Sequence, residues 1–341
     1  MALPVWIRRL AFTALVLCFV VVVLGAYVRL SAAGLSCPDW PGCYGAPTPL
    51  GIDQNAAAQA RFPHAAPEVG KAWREMIHRY AAGTLGLIIV VLAVLAAASP
   101  ARRMIGLRFA CALLAILILQ ASLGMLTVTL RLTPLIVTLH LIFGMTTLAL
   151  LAWLWLSVRN AAPDAVPAAA ARMPRRLCLA ALIVLAMQIA LGGWTSSNYA
   201  AIACPDFPTC QGRWWPPSDY AHAFELRRVP GVNYEGGTLN GPARVAIQLT
   251  HRLGACAATL MLVLAAGVTL RRVQQRRARQ AAGAVLAFLV LQLVIAVSMV
   301  ESGFSLWLAT AHNAGAALLL LATVALYAAL GARSRSMGCH E

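Results

Sequence analysis

The chain has 341 residues, of which 61% are hydrophobic and only 11% charged, a balance that excludes an ordinary soluble domain. Its net charge of +16 is not accompanied by an uninterrupted basic and aromatic surface. The charge therefore reads as membrane topology and attraction to anionic lipid, and no nucleic-acid partner is expected.

Eight apolar stretches reach the roughly 20 residues that a bilayer crossing needs. They fall at about 10–30, 75–98, 106–128, 134–157, 176–196, 244–270, 281–300 and 305–330. This pattern predicts an all-α integral membrane protein with eight transmembrane helices, built as two parallel-repeat four-helix bundles. Arg8 and Arg9 precede the first stretch and imitate a signal peptide. Its length, and the lack of a small-residue cleavage site before Arg29, predict a retained helix.

Beyond the first helix lies Cys37-Pro38-Asp39-Trp40-Pro41-Gly42-Cys43, and beyond the fifth Cys204-Pro205-Asp206-Phe207-Pro208-Thr209-Cys210. The same shift in numbering aligns these loops with Gly25 and Gly192 in the preceding helices, without a gap. Two prolines between each pair of cysteines bend the loop enough to bring the thiols together. The loops lie outside the membrane, where oxidation is permitted. Cys37–Cys43 and Cys204–Cys210 staples are one reading. Redox chemistry at Cys37 and Cys43 is a second, and a four-cysteine zinc site a third, although its spacing exceeds the usual gap.

The second helix carries Glu75, His78 and Arg79, and the fourth His140; the sixth carries Gln248, His251 and Arg252, and the eighth His312. The two histidine pairs have nearly the same separation, and all four lie near the outer ends of their helices. Ligating side chains within membrane segments are costly and point to function. Two neutral imidazoles facing each other across a helical bundle are suited to holding a haem iron from both sides. Arg79 and Arg252, at the headgroup boundary, are suited to haem carboxylates, or else snorkel to lipid phosphate. Glu75 shares a helix face with His78 and can take a proton or stabilise a cation, which Gln248 cannot. The first half thus reads as reactive and the second as a cofactor holder.

Arginines fix the orientation. Arg8, Arg9, Arg102, Arg103, Arg159, Arg172, Arg175, Arg176, Arg271, Arg272, Arg276, Arg277, Arg279, Arg333 and Arg335 fall on one side of an eight-span chain, and most of the eleven acids on the other. This places both termini in the cytoplasm. An Ala/Pro-rich linker, 161–175, separates an N-terminal half at 1–160 from a C-terminal half at 176–341. Cys18, Cys111, Cys178 and Cys256 read as packing residues within helices, Cys339 carries no assignment, and His64, His222 and His340 read as solvated.

Taken together, these features resemble the haem A synthase family, the CtaA type, over nearly the whole chain. The resemblance implies oxidation of the C8 methyl of haem O to a formyl group, giving haem A for terminal cytochrome oxidases. It implies haem b as resident cofactor between His251 and His312, and substrate haem between His78 and His140. It further implies that Glu75 stabilises or deprotonates the oxidised methyl intermediate, with Cys37 and Cys43 at a position implicated in function. The implied setting is a bacterial inner membrane. Its partners are a haem O synthase (a protohaem farnesyltransferase), a membrane electron carrier and cytochrome oxidase assembly factors. No Rossmann glycine pattern is present, so electrons are expected to come from a partner or another membrane carrier. A homo-oligomer is compatible with the sequence, although no helix face declares itself. A di-haem electron-transfer cytochrome would use the same histidines without needing Glu75, and a periplasmic-facing thiol–quinone oxidoreductase would instead make the cysteines reactive. A parallel-repeat transporter would need helices broken near the midplane.

Overall fold

The computed structural model describes residues 5–63, 65–98, 106–158 and 166–331. Arg102, Arg103, Arg159, Arg333, Arg335, His64, His340, Cys339 and positions 161–165 of the expected linker lie outside the described residues. Among the described residues the regular structure is helical, apart from two isolated bridges. Eight helices are long and apolar enough to cross a membrane. They are α1 (Val5–Leu30), α2 (Val69–Ala98), α3 (Leu107–Thr129), α4 (Pro134–Val158), α5 (Ala168–Ser197), α6 (Gly241–Arg272), α7 (Arg276–Glu301) and α8 (Leu306–Leu330).

Five helices, α1, α2, α5, α6 and α7, start earlier than hydropathy alone suggests, because the arginines and lysine in their first two turns interrupt the apolar run. At α6, Asn240 Oδ1 accepts from the Ala243 N–H at 2.8 Å, and Pro242 fits a first turn whose N–H groups lack helical partners. α2 begins at Val69, so His78 sits about two and a half turns in, deeper than expected. α5 begins at Ala168, which makes positions 168–175 of the expected linker helical, with Pro174 inside the helix.

α1 packs on α2 and α4, and α3 packs on the same two helices; α5 packs on α6 and α8, and α7 on the same two. Across the middle, α4 meets α5 and α8, and α1 meets α8. Outward faces are apolar: Leu87, Ile118, Ile183, Val290 and Val294 are exposed. That is costly in water and natural in lipid.

The close-packed core sits at one end of the bundle. It runs from Ile7, Ala11 and Leu15 through Leu92, Leu151, Cys178 and Leu262 to Val285 and Leu326. The other end carries the two long loops and two tight turns. After α3, the Leu132 N–H donates back to the Thr127 carbonyl at 2.8 Å; after α7, the Phe304 N–H donates to Met299 at 2.8 Å. Both turns use left-handed backbone, at φ 47° and 58° for Arg131 and Leu132 and at 70° and 63° for Gly303 and Phe304. Only Gly303 adopts it without the roughly 1–2 kcal/mol cost that a side chain brings. These turns bring His140 and His312 back to the loop end. Arg29 ties the two halves together there, donating to Tyr199 Oη at 2.9 Å and to the Ser196 carbonyl at 3.0 Å.

Candidate functional site

The two cysteine loops are built alike. Cys37 is bonded to Cys43, and Cys204 to Cys210. With all four sulfurs engaged in disulfides, the four-cysteine zinc reading falls. Among the described residues, no three His, Cys, Asp or Glu side chains gather to hold a bare metal ion. In the first loop, the Asp39 carboxylate accepts from the N–H groups of Tyr44 and Gly45, both at 2.7 Å. In the second, Asp206 accepts from Gln211 at 2.6 Å, Gly212 at 3.0 Å and the Thr209 hydroxyl at 2.5 Å. These bonds, the Thr209 hydroxyl first, hold the Asp206 carboxyl below its usual range. Both aspartates were visible in the aligned loops, and their role as internal caps emerges only from the folded turn.

Arg79 and Arg252 reach back over these loops. Arg79 Nη1 donates to the carbonyls of Asp39 at 2.9 Å, Pro41 at 3.3 Å and Gly42 at 2.7 Å. Arg252 donates to Pro208 at 3.3 Å, Thr209 at 2.7 Å, Cys204 at 3.3 Å and Asp206 at 2.8 Å. The guanidinium groups therefore fasten the disulfide loops to the helices that bear His78 and His251. Their expected role towards haem carboxylates finds most of these donors already directed at carbonyls.

Glu75 is 4% exposed and belongs to the same clamp. Its Oε2 accepts from the Cys37 N–H at 2.9 Å, and its Oε1 pairs with Arg79 Nη2. Its hydrogen bonds run to the disulfide loop and Arg79, so its link to His78 is proximity on one helix. Gln248 is equally buried in the second half, with Oε1 unpartnered among the described residues. Only the first loop is thus joined to a buried carboxylate.

The remaining cysteines divide. Cys18 and Cys178 are buried packing residues as expected, whereas Cys111 and Cys256 lie on exposed helix surface. His222 is exposed and bonds Asp219 Oδ2 at 2.6 Å. Serine at both Cys204 and Cys210 should lower stability by about 2 kcal/mol, the scale of closing so short a loop. Thermal unfolding in detergent would measure this.

His78, His140, His251 and His312 all line one cavity of ≈ 2090 Å³ at the loop end. His78 and His140 line it from α2 and α4, and His251 and His312 from α6 and α8. Glycines on facing helices admit the rings. A Cβ at Gly25 would stand 2.9 Å from Cε1 of His78, and one at Gly124 or Gly192 would stand 3.3 Å from Cε1 of His140 or His251. The Nδ1 atoms of His78 and His140 are buried and unpartnered among the described residues. Three glutamines that sequence reasoning passed over complete the cavity. Gln120, Gln188 and Gln292 each donate Nε2 to the backbone carbonyl of His140, His251 and His312 respectively, all at 3.0 Å. The available signal was a polar side chain inside an apolar helix.

The COX15-CtaA family, described as "Cytochrome oxidase assembly protein", matches residues 8–324. The chain is 38% identical to a protein named Heme A synthase from Shewanella oneidensis, over 94% of each chain. It is 30% identical to a Heme A synthase from Rhizorhabdus wittichii, covering 94% of this chain and 92% of that one. It is 29% identical to another from Caulobacter vibrioides, with 90% and 91% covered.

Proposed function

The chain belongs to the COX15-CtaA family of cytochrome oxidase assembly proteins, and from that premise we propose that it synthesises haem A by oxidising the C8 methyl of haem O to a formyl group. It is a multi-pass membrane protein. The observation that carries the reading is the cavity holding four histidines, three of them with a glycine opposite the ring. In the first pair, the Nδ1 atoms of His78 and His140 are buried without partners among the described residues, which is costly unless a ligand satisfies them. The cavity's ≈ 2090 Å³ exceeds the roughly 300–1,000 Å³ of a site for one drug-sized ligand. Two macrocycles fit the donor set better than one.

In this reading His251 and His312 hold a resident haem b, and His78 and His140 hold haem O. The resident haem, when bound, supplies a path for electrons. The chain's own residues position the substrate and manage protons. Glu75 is the buried carboxylate on the helix of His78 that could take up or give a proton when substrate is held there. Arg79 and the Cys37–Cys43 loop fix its place. The apolar lining from Leu117, Leu141 and Val137 suits an isoprenoid tail. The two halves act as parallel repeats with different duties.

The setting we propose is a bacterial inner membrane with both termini cytoplasmic and the disulfide loops outside, where cysteines oxidise. Arg271, Arg272, Arg276, Arg277 and Arg279 then lie at the cytoplasmic α6–α7 connection. Haem O synthase supplies the substrate, a membrane electron carrier exchanges electrons with the protein, and oxidase assembly factors receive the product.

Expression beside a haem O-producing farnesyltransferase, followed by chromatography and mass analysis of extracted haems, tests the proposal. Haem A or its hydroxylated precursor is expected. Haem b alone, with haem O unconverted despite verified expression and electron supply, would replace it with the di-haem cytochrome reading.

A further inference from the structure

The three glutamines do not treat their histidines alike. Gln188 Nε2 lies 3.1 Å from Nδ1 and 3.5 Å from Nε2 of His251, and Gln292 Nε2 lies 3.2 Å and 3.4 Å from the same atoms of His312. An amide in the ring plane can approach only one ring nitrogen closely. Near-equal distances to both place the amide against the face of the imidazole. The same Nε2 donates to the histidine's own carbonyl, so each glutamine grips backbone and ring together. That donation also fixes which end of the amide is nitrogen.

The other end of each amide needs room, and glycine provides it. A Cβ at Gly254 would collide with Oε1 of Gln188, and one at Gly315 with Oε1 of Gln292. Each oxygen thus faces a glycine Cα–H, a weak but directional contact. Gly254 and Gly315 both stand three residues after their histidine. Glutamine and glycine form one device, used at both histidines of the second half.

The first half carries it only in part, with Gly144 standing against Gln120 Nε2. Gln120 holds the His140 carbonyl, but the Nδ1 of His140 stays unpartnered among the described residues. At His78 both components are replaced. Gln188 precedes Gly192 by one helical turn, and the residue one turn before Gly25 is Val21, whose backbone lies within reach of His78. The residue three after His78 is Ala81.

We propose that Gln188 and Gln292 are positioning residues that lock both imidazoles of the second site and make it retentive, and that the missing clamp at His78 is what lets the first site exchange its haem. The inference rests on the haem reading above and names what sorts resident from transient. A fixed ring returns to the iron faster than a haem can leave, whereas a ring free to turn lets go. Outer-sphere partners of this kind typically change metal affinity about 10–100-fold.

The test uses purified full-length protein loaded with haem b. Gln188→Met and Gln292→Met keep the side-chain bulk and remove the donor. Two quantities are read, namely haem transfer to apomyoglobin and carbon monoxide binding to the dithionite-reduced protein. The parent should transfer slowly and resist carbon monoxide at its second site. Each variant should transfer about 10–100 times faster and gain a carbon monoxide band at matched haem content. A purely structural role would lower thermal stability without that band. The converse variant, Val21→Gln with Ala81→Gly, should slow haem release from the first site, and it keeps the inference open to test if the methionine variants fail to fold. Unchanged transfer and carbon monoxide inertness in the methionine variants, or unchanged release in the converse variant, would overturn the clamp and leave the haem reading standing. A parent that holds no haem at all would overturn both.

Discussion

Glu75→Gln should leave bound haem intact while haem A yield falls about 10²–10⁴-fold, the usual scale for a lost acid–base group. The substitution keeps an oxygen that can accept from the Cys37 N–H, now at 2.9 Å. It replaces the partner of Arg79 with an amide that can turn an N–H₂ towards a group offering only donors. The loop should loosen a little without detaching, because Arg79 also holds three loop carbonyls. The other half supplies the control. There Gln248 is already an amide, and Arg252 secures its loop through carbonyls alone. A loop of this build therefore tolerates glutamine, and the expected loss belongs to the carboxylate. Haem absorbance and extracted-haem chromatography on the same sample separate the two effects. An unaltered haem A yield would end the case for Glu75.

Much of this arrangement was legible beforehand because it depends on local pattern. Helix positions follow from runs of apolar residues, and the cysteine loops and histidine pairs from spacing within two similar halves. What was hidden depends on contacts across the fold. Arg79 and Arg252, two charges beside ligands, suggested haem carboxylates. Their engagement with loop carbonyls needed the loops folded back over α2 and α6. Gln188 and Gln292 look like ordinary polar interruptions until α6 and α8 bring histidine and glycine against them. The early start of α2 was missed because its first turns are polar, which hydropathy reads as loop. The apolar runs also carry no sign of where the main core gathers, which the folded bundle places at one end. Close packing and a cavity for large ligands cannot share the same stretch of helix.

The division of labour between the halves predicts opposite consequences for substitutions that look equivalent. His251→Ala and His312→Ala should strip the resident haem b and abolish product. His78→Ala and His140→Ala should keep the haem b band and still make no haem A. On the proposed assignment each change removes a direct haem ligand, so each loss should exceed the about 10–100-fold typical of an outer-sphere partner. The asymmetry has two independent roots in the chain. Glu75 stands opposite Gln248, so a proton-holding group serves only the first site. The glutamine–glycine grip stands at His251 and His312 and is absent at His78, so retention is built into the second. Spectra of the four purified variants, with haem A measured in the same membranes, decide the matter. Equal haem loss in all four would mean that neither half is set aside for an exchanging ligand. Retained haem b in His251→Ala, with loss in His78→Ala, would reverse the assignment and place the chemistry beside Gln248, where no carboxylate is available to assist it.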